Sequence, residues 1–106
     1  MALFRDICQT RPMRTTYALV RLAAALIAAP EDRHWGYQLS KMSGVRSGAM
    51  YPRLTSMLEE GWLEDGWQTE QEAGGRPPRR YYTLTEKGKA ELRALLARAQ
   101  QDQRFR

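Results

Sequence analysis

The string GGRPPRR sets Arg76 between two glycines and two prolines, with Arg79 and Arg80 at the base of the segment that follows. Guanidinium groups carry a fixed fork of donors that suits phosphate, and a glycine-proline turn holds such groups out from a fold. A basic tip of this kind slides along a DNA backbone or places an arginine in a narrow minor groove. A second string, SGAMYPRL from Ser47 to Leu54, puts glycine and proline at the start of a segment with helical apolar spacing. Arranged around Leu54, Met50, Tyr51, Met57 and Leu58 fall on the core side, and Ala49, Pro52 and Ser56 face outward with Arg53 and Thr55 at the edges. That outward face is small and uncharged for two turns. It fits a major groove, where Ala49 or Pro52 meets thymine methyls and Arg53 is the long donor able to reach a guanine edge. Arg46 and Ser47 precede it, and a helix starting one or two residues after Ser47 would offer free N–H groups to phosphate.

Catalysis has little to work with. His34 is the chain's one histidine and Cys8 its one cysteine, and no paired carboxylates lie in an apolar setting. Nothing supplies a nucleophile with its base, a zinc ligand set or an internal disulfide, so the expectation is a non-enzyme with no cofactor and no metal.

Positioning the two strings takes a helical frame. The apolar face of Leu19, Val20, Leu22, Ala23, Leu26 and Ile27 predicts a first helix from about Thr16 to Ala29, stopped by Pro30. YQLSKMSG predicts a short second helix using Tyr37, Leu39 and Met42 and closed by Gly44. SGAMYPRL begins the third, which ends at Gly61. The period then changes to strand-like in WLEDGWQT and RRYYTLT, joined by EQEAGGRPP, a turn-rich loop with no apolar anchor. Thr85 caps a last helix, EKGKAELRALLARAQ, in which Gly88 is tolerable where another backbone packs close. Trp35, Trp62 and Trp67 read as core or hinge aromatics.

Charge is segmented along the chain. Residues 1–58 carry eight basic and three acidic groups, 59–73 carry six acidic and no basic, and 74–106 carry nine basic and three acidic. A net charge of +5 with clustered arginine is the footprint of a nucleic-acid binder, although a solvated surface has the same composition. The acidic run faces solvent or tethers arginines of the same hairpin, which confines binding to the helix start and the tip. The longest apolar stretch is broken by Arg21 and closed by Pro30, and MALFRDICQT shows no export signal, so no membrane role is expected and the location expected is the cytoplasm, on the nucleoid.

This order of elements is α+β and mostly helical: a winged helix-turn-helix of three helices and a two-stranded wing hairpin over residues 15–84, with an N-terminal segment (1–14) and a C-terminal helix with frayed tail (85–106). The chain resembles the PadR-like family of winged-helix transcriptional regulators through Gly36-Tyr37, the Gly48, Tyr51, Pro52 and Leu54 of G-x-x-YP-x-L, LEEGWL, and GRPPRRYYTLTEKG. The resemblance spans Tyr17 to Leu96. It departs at Ala49, where threonine is usual, and at Arg46-Ser47, where Ser-Pro is common.

The resemblance implies a homodimeric repressor on a palindromic operator in double-stranded DNA, released when a small-molecule or other effector acts on the dimer. It also implies that Tyr51 donates to a phosphate and that Arg76 belongs to the wing tip. The short C-terminal form implies dimerisation through the last helix and the N-terminal segment, which suits the stripe of Leu92, Leu95, Leu96 and Ala99 and the trio Leu3, Phe4 and Ile7. Two other readings keep the same fold: a module that turns its third helix on a protein, and an architectural DNA binder without sequence choice.

Overall fold

Thr16 starts the first helix: in extended backbone, its hydroxyl accepts from the Leu19 N–H at 3.2 Å. The bond satisfies one of the donors that a helix leaves open at its N-terminus. The structure is a computed structural model and describes residues 13–105. Leu3, Phe4 and Ile7, expected at a dimer contact, lie outside the described residues, as does Cys8. In α1 (Tyr17–Ala28), Leu19, Leu22, Ala23 and Leu26 are buried at helical spacing, and Pro30 follows its end.

The next element was not legible. His34–Trp35 form a two-residue strand, β1, directly before α2 (Gly36–Ser43), which Gly44 closes at φ +73°. Of the apolar residues expected to seat α2, only Leu39 is buried; Tyr37 and Met42 stand exposed. An eight-residue helix that turns at once into the next one has room for a single deep anchor. α3 (Ser47–Glu59) buries Met50, Leu54 and Met57, and the chain turns at Gly61, φ +77°.

β2 (Leu63–Trp67) and β3 (Arg80–Leu84) make the expected hairpin, but the sheet has three strands in the order β1-β3-β2, all antiparallel. His34 lies opposite Tyr82 and Trp35 opposite Tyr81, while Leu63 pairs with Leu84 and Trp67 with Arg80. β1 covers the edge of β3 that a two-stranded wing would leave open. Tyr82 and Leu84 alternate inward onto the helices, and Trp67, expected in the core or a hinge, is exposed.

The hairpin tip carries α4 (Glu70–Ala73) where a loop was expected. Thr69 and Glu72 build a reciprocal capping box, Glu72 N to Thr69 Oγ1 at 3.1 Å and Thr69 N to Glu72 Oε1 at 2.9 Å. Ala73 is the buried anchor that the sequence did not reveal, and Gly74 and Gly75, at φ +59° and +85°, end the turn.

Thr85 caps α5 (Glu86–Gln101) through Gly88 N at 2.9 Å. Leu92 and Leu95, expected at a dimer contact, are buried in the fold's own core, while Ala99 is buried and Leu96 half-buried beside an apolar groove between α5 and α1. After α5 a 3-10 turn (Gln103–Phe105) brings the Phe105 ring to 5.8 Å from Tyr17. No helix among the described residues is long and apolar enough to cross a membrane.

Candidate nucleic-acid interface

A short turn, held from several sides, fixes α3 relative to α2. Ser43 Oγ donates to Leu39 O at 2.6 Å and accepts from Val45 N at 3.1 Å, and Ser40 Oγ donates to Val45 O at 2.7 Å. From α1, Arg21 donates to the Ser43 carbonyl at 3.3 Å. Buried polar groups are thereby paired and the helix-turn-helix angle is set by bonds as well as packing.

α1, α4 and α5 each start on a threonine whose side chain caps them, whereas α2 starts on Trp35 and α3 on Arg46, neither of which makes a side-chain cap. Neither α2 nor α3 has an acidic residue in its first turn. The positive ends of their dipoles, with the first two N–H groups of α3 and the first turn of α2, are open to an anion.

α3 begins at Ser47 itself, not later. Pro52 therefore lies in its second turn, where its missing N–H leaves the Gly48 carbonyl without the usual donor. The outward face is also rotated from the one expected. Gly48, Tyr51, Pro52 and Thr55 are exposed, while Ala49 packs partly on the core. Ser56 is half-buried and donates to Pro52 O at 3.1 Å. Arg53, expected to reach a guanine, is turned back: it donates to Ala49 O at 2.7 Å and Thr16 Oγ1 at 3.3 Å. The cause is that α3 packs on α1 as well as on the sheet, so its buried sector extends to residues 49 and 53.

Tyr51, expected on the core side, is half-exposed and lays its phenol over Gly36; a side chain at 36 would collide with that hydroxyl. This contact joins α3 to the first turn of α2. Beside it opens a cleft of about 700 Å³, lined by Gly36–Gln38 of α2, Tyr51, Gln68, Arg79 and Arg80 of the wing, and Tyr82 at its floor.

The wing is braced against the residues around β1 and carries free charge at its tip. Arg33 pairs with Glu72 at 2.8 Å and lies 4.2 Å over the Tyr81 ring, against whose edge Trp35 also packs. The Thr69 N–H, and after it Arg33, holds the Glu72 carboxyl below its ordinary range. Arg80 is bound to Asp65 at 2.6 Å. Among the described residues Arg76 and Arg79 make no ion pair, and both are exposed, as are Arg46 and Ser47. The acidic run thus neutralises Arg33 and Arg80 and leaves two wing arginines free. Sequence reasoning missed Gly36–Gln38, Gln68 and Tyr82 as parts of this surface. One signal was available: neither His34 nor Trp35, directly before α2, is a Ser, Thr, Asp or Asn that would cap it.

Helix-turn-helix, wing and the cleft between them define a winged-helix DNA-binding protein. The chain belongs to the PadR-like family of transcriptional regulators, whose family model matches residues 26–94, more than half of it. Among solved structures it is similar to a PadR family transcription regulator from hypervirulent Clostridium difficile R20291, with 25% identity and a TM-score of 0.60 over 85% of this chain and 90% of that one. A PadR-like transcriptional regulator from Bacillus cereus matches at 25% identity and TM-score 0.60, covering 77% of this chain and 82% of the other. The circadian clock associated protein Pex from Anabaena, at 12% identity and TM-score 0.60 over 94% and 90% of the two chains, shares the fold alone. No curated protein matches the chain.

Proposed function

We propose that this transcriptional regulator is a repressor that binds a palindromic operator as a homodimer, on the nucleoid in the cytoplasm. The observation that carries the reading is the cleft that brings the bare first turn of α2, Tyr51 of α3 and Arg79 of the wing together on one surface. In the proposed complex α3 enters the major groove with Gly48, Pro52 and Thr55 leading, and Arg76 and Arg79 lie on the flanking backbone or in the minor groove. Arg46 and Ser47 sit at the open N-terminus of α3 and face phosphate. Glu59 at the far end of α3 stays outside, because a carboxylate beside phosphate is repelled.

The dimer is proposed to form on a surface that shares only Leu96 and Ala99 with the α5 stripe and extends onto α1. Val20, Ile27 and Ala28 of α1, with Leu96 and Phe105, line an apolar groove of about 350 Å³, and a second copy of the chain covers it. Two recognition helices related by that axis read half-sites about one helical turn apart, roughly 34 Å.

Selection of bound fragments from a random duplex pool tests the reading. Enrichment of a palindrome supports it, binding without enrichment favours the architectural role, and absence of duplex binding favours a protein-interaction module. Sedimentation of an Ile27→Glu, Leu96→Glu variant tests the interface, and a folded variant that remains a dimer overturns it. For the wing, Arg76→Ala is expected to weaken operator and random duplex alike and to flatten the log–log salt slope by about 0.9 per subunit.

A further inference from the structure

Tyr82 is only 2% exposed, yet its hydroxyl makes no hydrogen bond with any described residue. No buried side-chain oxygen among the described residues is both sealed and unpaired, so this one opens on the cleft that Tyr82 lines. A buried phenol ordinarily finds a partner for its O–H. Burial also keeps it protonated, raising its pKa against the pull of Arg80. A neutral donor without an acceptor therefore stands at the floor of a cleft whose wall is the first turn of α2. Trp35 supplies no side-chain cap there, and the helix has no acidic residue in its first turn. The one carboxylate facing Tyr82, Asp65, is held by two nitrogens of Arg80 at 2.8 and 2.6 Å, and Arg79 beside it is without an ion pair among the described residues. Donors converge from strand, helix and wing, and the carboxylate among them is already engaged by Arg80.

We propose that this cleft is a phosphate seat, in which the Tyr82 hydroxyl and the N–H groups of Tyr37 and Gln38 bind a phosphodiester of the DNA backbone while Arg79 neutralises it. The proposal rests on the duplex-binding reading and adds a residue that carries no charge and lies inside the fold. The Tyr51 phenol, seated over Gly36, forms the rim. A phosphate held there fixes the distance between α2 and the wing, and with it the depth at which α3 lies in the groove. A free phosphate ester has the same chemistry as the backbone, and the test separates the two sources.

Tyr82→Phe removes one oxygen that has no partner in the free protein, so its thermal midpoint stays at or above that of the parent. A clear fall would show an intramolecular partner and overturn the seat. Binding of a random-sequence duplex of about two helical turns by the full chain is then measured against salt. Loss of one hydrogen bond to an anion weakens Tyr82→Phe about tenfold to a hundredfold. Its salt slope stays at the parent's value, because a phenol displaces no counterion, whereas Arg79→Ala flattens the slope by about 0.9 per subunit. A Tyr82→Phe protein that binds the duplex as tightly as the parent overturns the seat and leaves DNA binding intact. Should the parent bind no duplex, inorganic phosphate is titrated while the amide resonances of Tyr37 and Gln38 are followed. Shifts in the parent that vanish in Tyr82→Phe retain the seat for free phosphate esters, and unmoved resonances overturn it.

Discussion

The guanidinium of Arg53, on the recognition helix, donates to the hydroxyl of Thr16, the residue that caps the first helix, at 3.3 Å. The same side chain donates to Ala49 O at 2.7 Å, so it ties two turns of α3 to the start of α1. A side chain engaged in this way sets the orientation of the helix and is withdrawn from base edges. Arg53→Ala is expected to cost about 1 kcal/mol, a fall of about 4–8 °C in thermal midpoint for a domain of this size. Operator and random duplex affinities should fall together, leaving their ratio unchanged in a competition assay. A reduced ratio at an unchanged midpoint would mean that Arg53 swings out to read a base.

Gly88 meets a different constraint. Its α-carbon faces the backbone of Trp62, whose carbonyl also accepts from Thr85 N at 3.1 Å, and a methyl group at 88 would run into that carbonyl. Alanine gains about 1 kcal/mol over glycine within a helix, but overpacking against backbone that cannot move aside costs about 1–3 kcal/mol or more. Gly88→Ala should therefore lower the urea midpoint with an unchanged slope. A rise would show that α5 shifts freely against the β2 entry.

Much of this frame was legible because it rests on periodicity and punctuation. Leu19 to Leu26 gave α1, Gly44 and Gly61 gave the helix ends, and the need for a close backbone at Gly88 was met by Trp62. What failed did so for local reasons. A two-residue strand such as His34–Trp35 has no period to detect, and α4 is held by a capping box and one alanine, too few residues for an amphipathic signature. A helical wheel finds the centre of a buried sector but not its width. Ala49 turned to the core, Arg53 to the start of α1 and Tyr51 came out because α3 has neighbours on two sides, which no single-helix pattern encodes. For the same reason Leu92 and Leu95 looked free for a partner, although the fold's own core already takes them.

Pro52 sits within α3 at a cost. Proline in a helix interior loses a hydrogen bond and crowds the carbonyl four residues back, here that of Gly48, and the penalty is about 3 kcal/mol in a regular helix. Pro52→Ala should raise the thermal midpoint, since the position is exposed and the new N–H restores the missing bond. Affinity for random duplex should hold, because no charge changes. The ratio of operator to random affinity should fall about threefold or more if the ring lies on thymine methyls, the scale of a small apolar contact. An unchanged ratio would move base reading to Thr55 and Gly48.

His34 gives the fold a pH dependence that can be isolated, because the chain has one histidine. The ring is buried in β1, and its Nε2–H donates to the Ala29 carbonyl at 2.9 Å. Burial holds the imidazolium pKa below its ordinary 6.5, and the Ala29 carbonyl and Asp32 offset only part of that. As pH falls through 6.5 the unfolded chain takes up a proton that the folded chain refuses until a lower pH. The unfolded state then binds more protons, so stability is full above that value and declines below it, levelling off once the folded ring is protonated. The carboxyls of Glu72, Glu86 and Asp102, all held below their ordinary values by hydrogen bonds, respond only at more acid pH. Urea midpoints measured between about pH 7.5 and 5.5 should thus fall in the parent. In His34→Gln, which keeps a donor for Ala29 O but cannot titrate, they should stay nearly flat. Parallel profiles for the two proteins would show that the folded chain protonates His34 as readily as the unfolded one.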